Sequence, residues 1–251
     1  MSPSEILPGA EPFSAAGGSV GVLVLHGFTG NPQSLRGLAQ AFADAGFTVE
    51  LPLLPGHGTS LDDMEKTGWD DWYQGVEMAY AEIADRCSSV IVAGLSLGGS
   101  LAVTLAVEHP EVAALVLVNP AVEVTAPGSI EFLEDFLAQG VERIDALGSD
   151  IADPDAVELS YSGTPVRPLI SALKHYDTLP ARLGELRCPI LLFTSTQDHV
   201  VDPHSSETLA AAASGPVERV TLERSFHVAT LDYDKDEIER RAVEFARRIT
   251  G

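Results

Sequence analysis

The chain of 251 residues carries 15 Lys plus Arg against 37 Asp plus Glu, a formal net charge of -22, and is 45% hydrophobic and 21% charged. That balance describes a globular chain able to bury a sizeable core. Its acidic surface repels phosphate backbones, so nucleic acid is not an expected partner, and anionic membranes and highly charged anionic ligands are disfavoured. The length fits one α/β domain with a single insertion.

In chain order, residues 1–18 are polar and rich in Pro, Gly and Ser, with no basic start leading into an apolar stretch of signal-peptide length; a cytoplasmic location is expected. Short apolar runs at 20–25, 48–51, 89–93, 113–118, 189–194 and 217–222 read as buried strands, and none is long enough to cross a bilayer. Helical patterns at 32–45, 69–86, 97–109, 205–213 and 235–249 lie between or after them. Such alternation predicts a layered α/β fold with a mostly parallel sheet flanked by helices. From 121 to 180 the rhythm breaks: acidic helical stretches and Pro-rich turns appear without a strand run. This segment is expected to be a cap insertion, with 1–120 and 181–251 forming the core domain. Ile130, Leu133, Phe136 and Leu137 share a helical spacing that predicts an apolar face packed against the main domain, part of it available to line a pocket. Cys87 and Cys188 each precede an apolar run and read as packed thiols, with no base nearby to activate either.

The chemistry concentrates at Gly94-Leu95-Ser96-Leu97-Gly98, which follows a strand run and opens a helix. A strand-to-helix turn this sharp demands small residues two before and two after the serine, and it lifts the hydroxyl above the sheet as a nucleophile. Ser96 needs a base from elsewhere in the fold. His26, His57 and His109 read as turn or helix-end residues, whereas His227 lies in the loop after the last strand run, where an imidazole reaches back over the strand ends. A carboxylate must hold the tautomer of that imidazole. Asp198, just past the run 189–194, fits, with Asp202 as its rival; the order Ser, Asp, His is the one α/β-hydrolases use. The backbone N–H groups of Leu97 and of Phe28, in the turn His26-Gly27-Phe28-Thr29-Gly30, are the expected oxyanion donors. No HExxH, paired Cys or other metal-ligand spacing is present, so neither metal nor cofactor is expected.

With those residues in hand, the chain resembles the bacterial monoacylglycerol lipases and related thermostable carboxylesterases among the α/β-hydrolases. The resemblance rests on Leu25-His26-Gly27-Phe28-Thr29-Gly30, Pro55-Gly56-His57-Gly58-Thr59, the Ser96 turn, Asp198-His199-Val200-Val201 and Ser225-Phe226-His227-Val228-Ala229-Thr230-Leu231-Asp232. It implies cleavage of monoacylglycerols to fatty acid and glycerol beneath a small cap over an acyl tunnel. It also implies that Glu158, in Asp155-Ala156-Val157-Glu158-Leu159, holds the glycerol hydroxyls and that Leu147 is an apolar cap residue near the ester. The residues alone leave two alternatives open: a broad carboxylesterase for short to medium acyl chains, and a non-catalytic homologue that binds a small ligand.

Overall fold

The computed structural model describes residues 4–146 and 149–251. Seven strands form the main sheet: β1 (Phe13–Ala15), β2 (Val20–Leu25), β3 (Thr48–Leu51), β4 (Ser89–Leu95), β5 (Ala114–Val118), β8 (Ile190–Ser195) and β9 (Val217–Leu222). They lie in the order β1-β3-β2-β4-β5-β8-β9, every pair parallel except β1 with β3. Each of the six apolar runs becomes one of these strands. β1 pairs only with β3 at the sheet edge and its three residues are too short to show alternation.

The pleat sorts each central strand between two cores. Leu23 and Leu25 of β2, Val90 and Val92 of β4 and Leu115 and Leu117 of β5 face one side. Val22 and Val24, Ile91 and Ala93, and Val116 and Val118 face the other. The first core is closed by α3 (Trp69–Ala84), α4 (Leu97–Glu108) and α7 (His204–Ala212) through Trp72, Val76, Leu101, Leu105 and Leu209. The second is closed by α1 (Arg36–Asp44) and α8 (Lys235–Thr250) through Leu38, Phe42, Ile238 and Phe245. Helix α4 is buried from Leu97 to Val107, and its polar Ser100 and Thr104 are satisfied by donating to the Ala121 and Ser100 carbonyls.

Between β5 and β8 the chain adds α5 (Ser129–Ala138), the short strands β6 (Arg143–Asp145) and β7 (Gly163–Pro165), and α6 (Val166–Thr178); a short α2 (Leu61–Met64) lies beside β7. Two sequence expectations are corrected here. The 121–180 segment does contain strands: β6 and β7 pair antiparallel, but at three residues each they carry no readable period. The apolar face of α5 does not pack on the main sheet; Leu133, with Ile130 and Leu137, packs against Val166, Ile170 and Leu173 of α6. No helix among the described residues is long and apolar enough to cross a membrane.

Candidate active site

Ser96, Asp198 and His227 all lie just past the carboxyl ends of parallel strands. Ser96 occupies the one-residue link between β4 and α4 with φ +54° and ψ -118°. Space dictates its neighbours: a Cβ on residue 94 would come within 2.2 Å of the Gly98 carbonyl oxygen, and one on residue 98 within 2.0 Å of the Leu25 carbonyl oxygen. Thr29 (φ +59°), Ser96 and Asn119 (φ +44°) are the non-glycine residues with positive φ among the described residues, and all three lie at this edge. Strain of this kind persists only where surrounding contacts over-determine it.

His227, in the loop after β9, places Nδ1 2.7 Å from Asp198 Oδ2, both side chains buried. Asp198 Oδ1 in turn accepts the N–H groups of Val200 (2.9 Å) and Val201 (2.8 Å), so its carboxylate is aimed by its own loop. Asp202 instead accepts the His204 N–H at 2.9 Å, so the carboxylate against His227 is that of Asp198. Ser96 and His227 line one cavity of 420 Å³. The Ser96 hydroxyl and His227 Nε2 are not hydrogen-bonded to each other, an open spacing common before substrate tightens a site.

Four residues that sequence reasoning missed fix the His227 loop. Asn119, at the end of β5, donates Nδ2 to the His227 carbonyl (2.8 Å) and accepts the Ser195 N–H (2.8 Å), while Ser195 Oγ donates to the Phe226 carbonyl (2.8 Å). Asp232, fully buried, accepts the N–H groups of Ala152, Asp153, Phe226 and Tyr233 at 2.8–3.0 Å. Asp150 accepts the N–H of His199 (2.9 Å), the N–H of His227 (3.1 Å) and His199 Nδ1–H (2.8 Å). Burial pushes the Asp150 carboxyl up, but the hydrogen bonds from His199 and His227 outweigh it and hold it below the usual carboxylate range. A polar residue closing the apolar run 114–118 was the available signal for Asn119; Asp150 and Asp232 act on backbone amides and leave none.

The loop carrying Phe28 lies directly against Ser96, since a Cβ on Gly27 would meet Ser96 Cβ at 3.5 Å. Phe28 lines the cavity, and its ring packs edge-on against Trp72 and His57. The Leu97 N–H belongs to the first turn of α4, where helix amides lack an intrahelical acceptor, and its side chain is buried in the core. Behind this loop His26 donates Nδ1–H to the Gly27 carbonyl and accepts the Leu54 N–H on Nε2. Burial, reinforced by the neighbouring His57, lowers His26 to about 3, and burial lowers His57 to about 4, so both are neutral scaffold. His109 pairs with Glu77 and Glu111, and His199 with Asp150. Burial lifts the Cys188 thiol to about 11, as expected of a packed cysteine.

The cavity is walled by Phe132 and Leu133 of α5 and by Leu169, Ala172, Leu173 and Tyr176 of α6, an i, i+3, i+4, i+7 stripe legible in the sequence. Glu158 lines it too, and burial raises its carboxyl above the usual range against the opposing pull of a Ser149 hydrogen bond and the charge of His227. Leu147 lies outside the described residues.

The family model described as "Serine aminopeptidase, S33" matches residues 20–234. The chain is 42% identical over 250 residues, 98% of each chain, to the thermostable monoacylglycerol lipase of Bacillus sp. (strain H-257). It is 25% identical over 248 residues to a carboxylesterase of Bacillus subtilis (strain 168), covering 95% of this chain and 97% of that one. Among solved structures, a chain from a study of the metagenome-derived lipolytic enzymes LipS and LipT superposes with a TM-score of 0.93 at 38% identity, over 97% of this chain and all of that one. The chain therefore belongs to the serine aminopeptidase S33 family and, within the α/β-hydrolases, to the group of bacterial monoacylglycerol lipases and carboxylesterases.

Proposed function

We propose that the chain is a carboxylic ester hydrolase in which Ser96 is the nucleophile, His227 the base and Asp198 its orienting partner, with monoacylglycerols as substrates. The observation that carries this reading is the buried 2.7 Å Asp198–His227 contact opening onto the cavity that Ser96 lines. His227 takes the Ser96 proton as the hydroxyl attacks the ester, and Asp198 steadies the resulting imidazolium. The N–H groups of Phe28 and Leu97 receive the charge that develops on the carbonyl oxygen. His227 returns the proton to the departing glycerol, then activates water to free the fatty acid from Ser96.

The 121–180 segment serves as a cap. Its apolar helix stripes take the acyl chain, while Glu158, facing the same cavity, receives the glycerol hydroxyls. A cytoplasmic location belongs to the same proposal and agrees with two free cysteines, the state a reducing compartment maintains. Hydrolysis of monoacylglycerols, diacylglycerols and nitrophenyl esters across matched acyl lengths tests the substrate: a higher kcat/KM on monoacylglycerols is expected. Indifference to the glycerol moiety selects the second reading, a broad carboxylesterase, which the similarity to the Bacillus subtilis enzyme favours.

A further inference from the structure

The backbone on either side of Glu158 is held by a single side chain. Gln33 donates Nε2–H to the Val157 carbonyl at 2.9 Å and accepts the Leu159 N–H on Oε1 at 3.1 Å. One carboxamide thus copies the paired donor and acceptor that a neighbouring strand would present. Side chains alternate across this contact: Val157 is 71% and Leu159 37% exposed, while Glu158 between them lines the cavity. Asn31 completes the clamp, accepting the Gln33 N–H at 3.0 Å and donating to the Leu159 carbonyl. The carboxylate also has a fitted seat, because a Cβ on Gly30 would lie 3.1 Å from Glu158 Oε1. Gln33 itself does not line the cavity.

We infer that Gln33 is a positioning residue: by fixing the backbone around Glu158 it sets the preference of the enzyme for esters with a polyol head group over esters without one. This rests on the reading of Glu158 as the head-group acceptor. A carboxylate that accepts hydroxyls must be placed to within a few tenths of an ångström, and a segment without regular structure has no ladder of its own to supply that placement. The amide of Gln33, rooted in the turn that follows the Phe28 loop, supplies it and ties the head-group site to the oxyanion loop.

The test measures kcat and KM for a 1-monoacylglycerol and for the nitrophenyl ester of the same acyl chain in wild type, Gln33→Ala, Glu158→Ala and the double variant. Gln33→Ala is expected to lower the monoacylglycerol-to-nitrophenyl ratio of kcat/KM about tenfold, through KM, with nitrophenyl ester turnover within about twofold of wild type. In the Glu158→Ala background the same substitution should produce no further change in the ratio, the signature of action through that side chain. Gln33→Glu, which keeps the size and the acceptor but loses the donor to Val157, should fall between and serves if Gln33→Ala folds poorly. Equal loss on both substrates, or an undiminished effect in the Glu158→Ala background, overturns the inference. So does an unchanged ratio in Gln33→Ala when Glu158→Ala alone lowers it, which leaves the head-group reading standing. An unchanged ratio in Glu158→Ala removes the head-group reading, and this inference with it.

Discussion

The carboxyl edge of the main sheet and the 121–180 segment bound the same cavity but differ in how far apolar burial holds them in place. At the edge, Ser96, Asn119, Asp198 and His227 follow strands whose side chains are shared between two apolar cores, so hydrophobic burial fixes their positions. Among the described residues the segment has one small apolar cluster of its own, between α5 and α6, and it joins the first core through Val122, Ala172, Tyr176 and Leu179. Between these contacts it is pinned by polar side chains that grip backbone: Tyr161 accepts the Thr59 N–H and donates to the Gly56 carbonyl, Asp232 collects amides from both regions, and Asp150 reaches from the segment to the His227 loop. The irregular stretch around Glu158, held by a few directional bonds, can change by single substitutions, while an edge held by a core stays in place.

Breaking the edge should cost the most. His227→Ala is expected to reduce kcat on any ester by about 10⁵-fold, because nucleophile and base act as a unit, while the thermal midpoint stays near that of wild type. Activity within tenfold of wild type, on the order of 1 kcal/mol of barrier, would remove His227 from the chemistry.

Next is the acid sensitivity of the scaffold behind the Phe28 loop. Unfolded histidine titrates near 6.5, whereas burial lowers His26 to about 3 and His57 to about 4 in the folded chain. Between those values the unfolded state binds more protons, so stability is fully present above about pH 6.5 and is lost as pH falls toward 4. Urea unfolding should show a loss of about 2 kcal/mol per histidine between pH 7 and pH 5. A midpoint unchanged over that interval would contradict the burial of both rings in neutral form.

Smaller effects should come from the polar pins. Asp150→Asn keeps the volume but sets an amide N–H against donors from His199 and His227, and is expected to lower kcat about 30-fold, equivalent to about 2 kcal/mol, with KM nearly unchanged. A loss confined to KM would mean that Asp150 shapes the cavity and does not orient His227. Tyr161→Phe removes one hydroxyl that bridges Thr59 and Gly56 and should cost about 1 kcal/mol of stability with little change in rate. A large loss of rate in that variant would show the two regions to be coupled through Tyr161 as well.

The same division explains what the sequence disclosed. The six apolar runs became strands because burial on both faces writes itself as uninterrupted hydrophobicity. Their ends moved for local reasons: β4 continues through Gly94 and Leu95, which still pair with β2 and β5, and β8 begins after Pro189, which lacks an N–H. Helix α6 was not assigned from the sequence, although Leu169, Ala172, Leu173 and Tyr176 carry the period that could have found it, with Pro168 in its first turn where proline is tolerated. At the candidate site, the sequence singled out Ser96 by its glycines and Asp198 and His227 by their places after strands, and the structure places the last two in contact. Gln33, Asp150, Tyr161 and Asp232 do not, because a side chain that binds backbone has a partner without sequence identity.

Labelling with a fluorophosphonate followed by peptide mass mapping tests the central claim most directly, since only an activated serine is phosphonylated at useful speed. Stoichiometric modification of Ser96 is expected, abolished in Ser96→Ala and slowed by orders of magnitude in His227→Ala. An unlabelled Ser96, or a label of equal rate in His227→Ala, would contradict it.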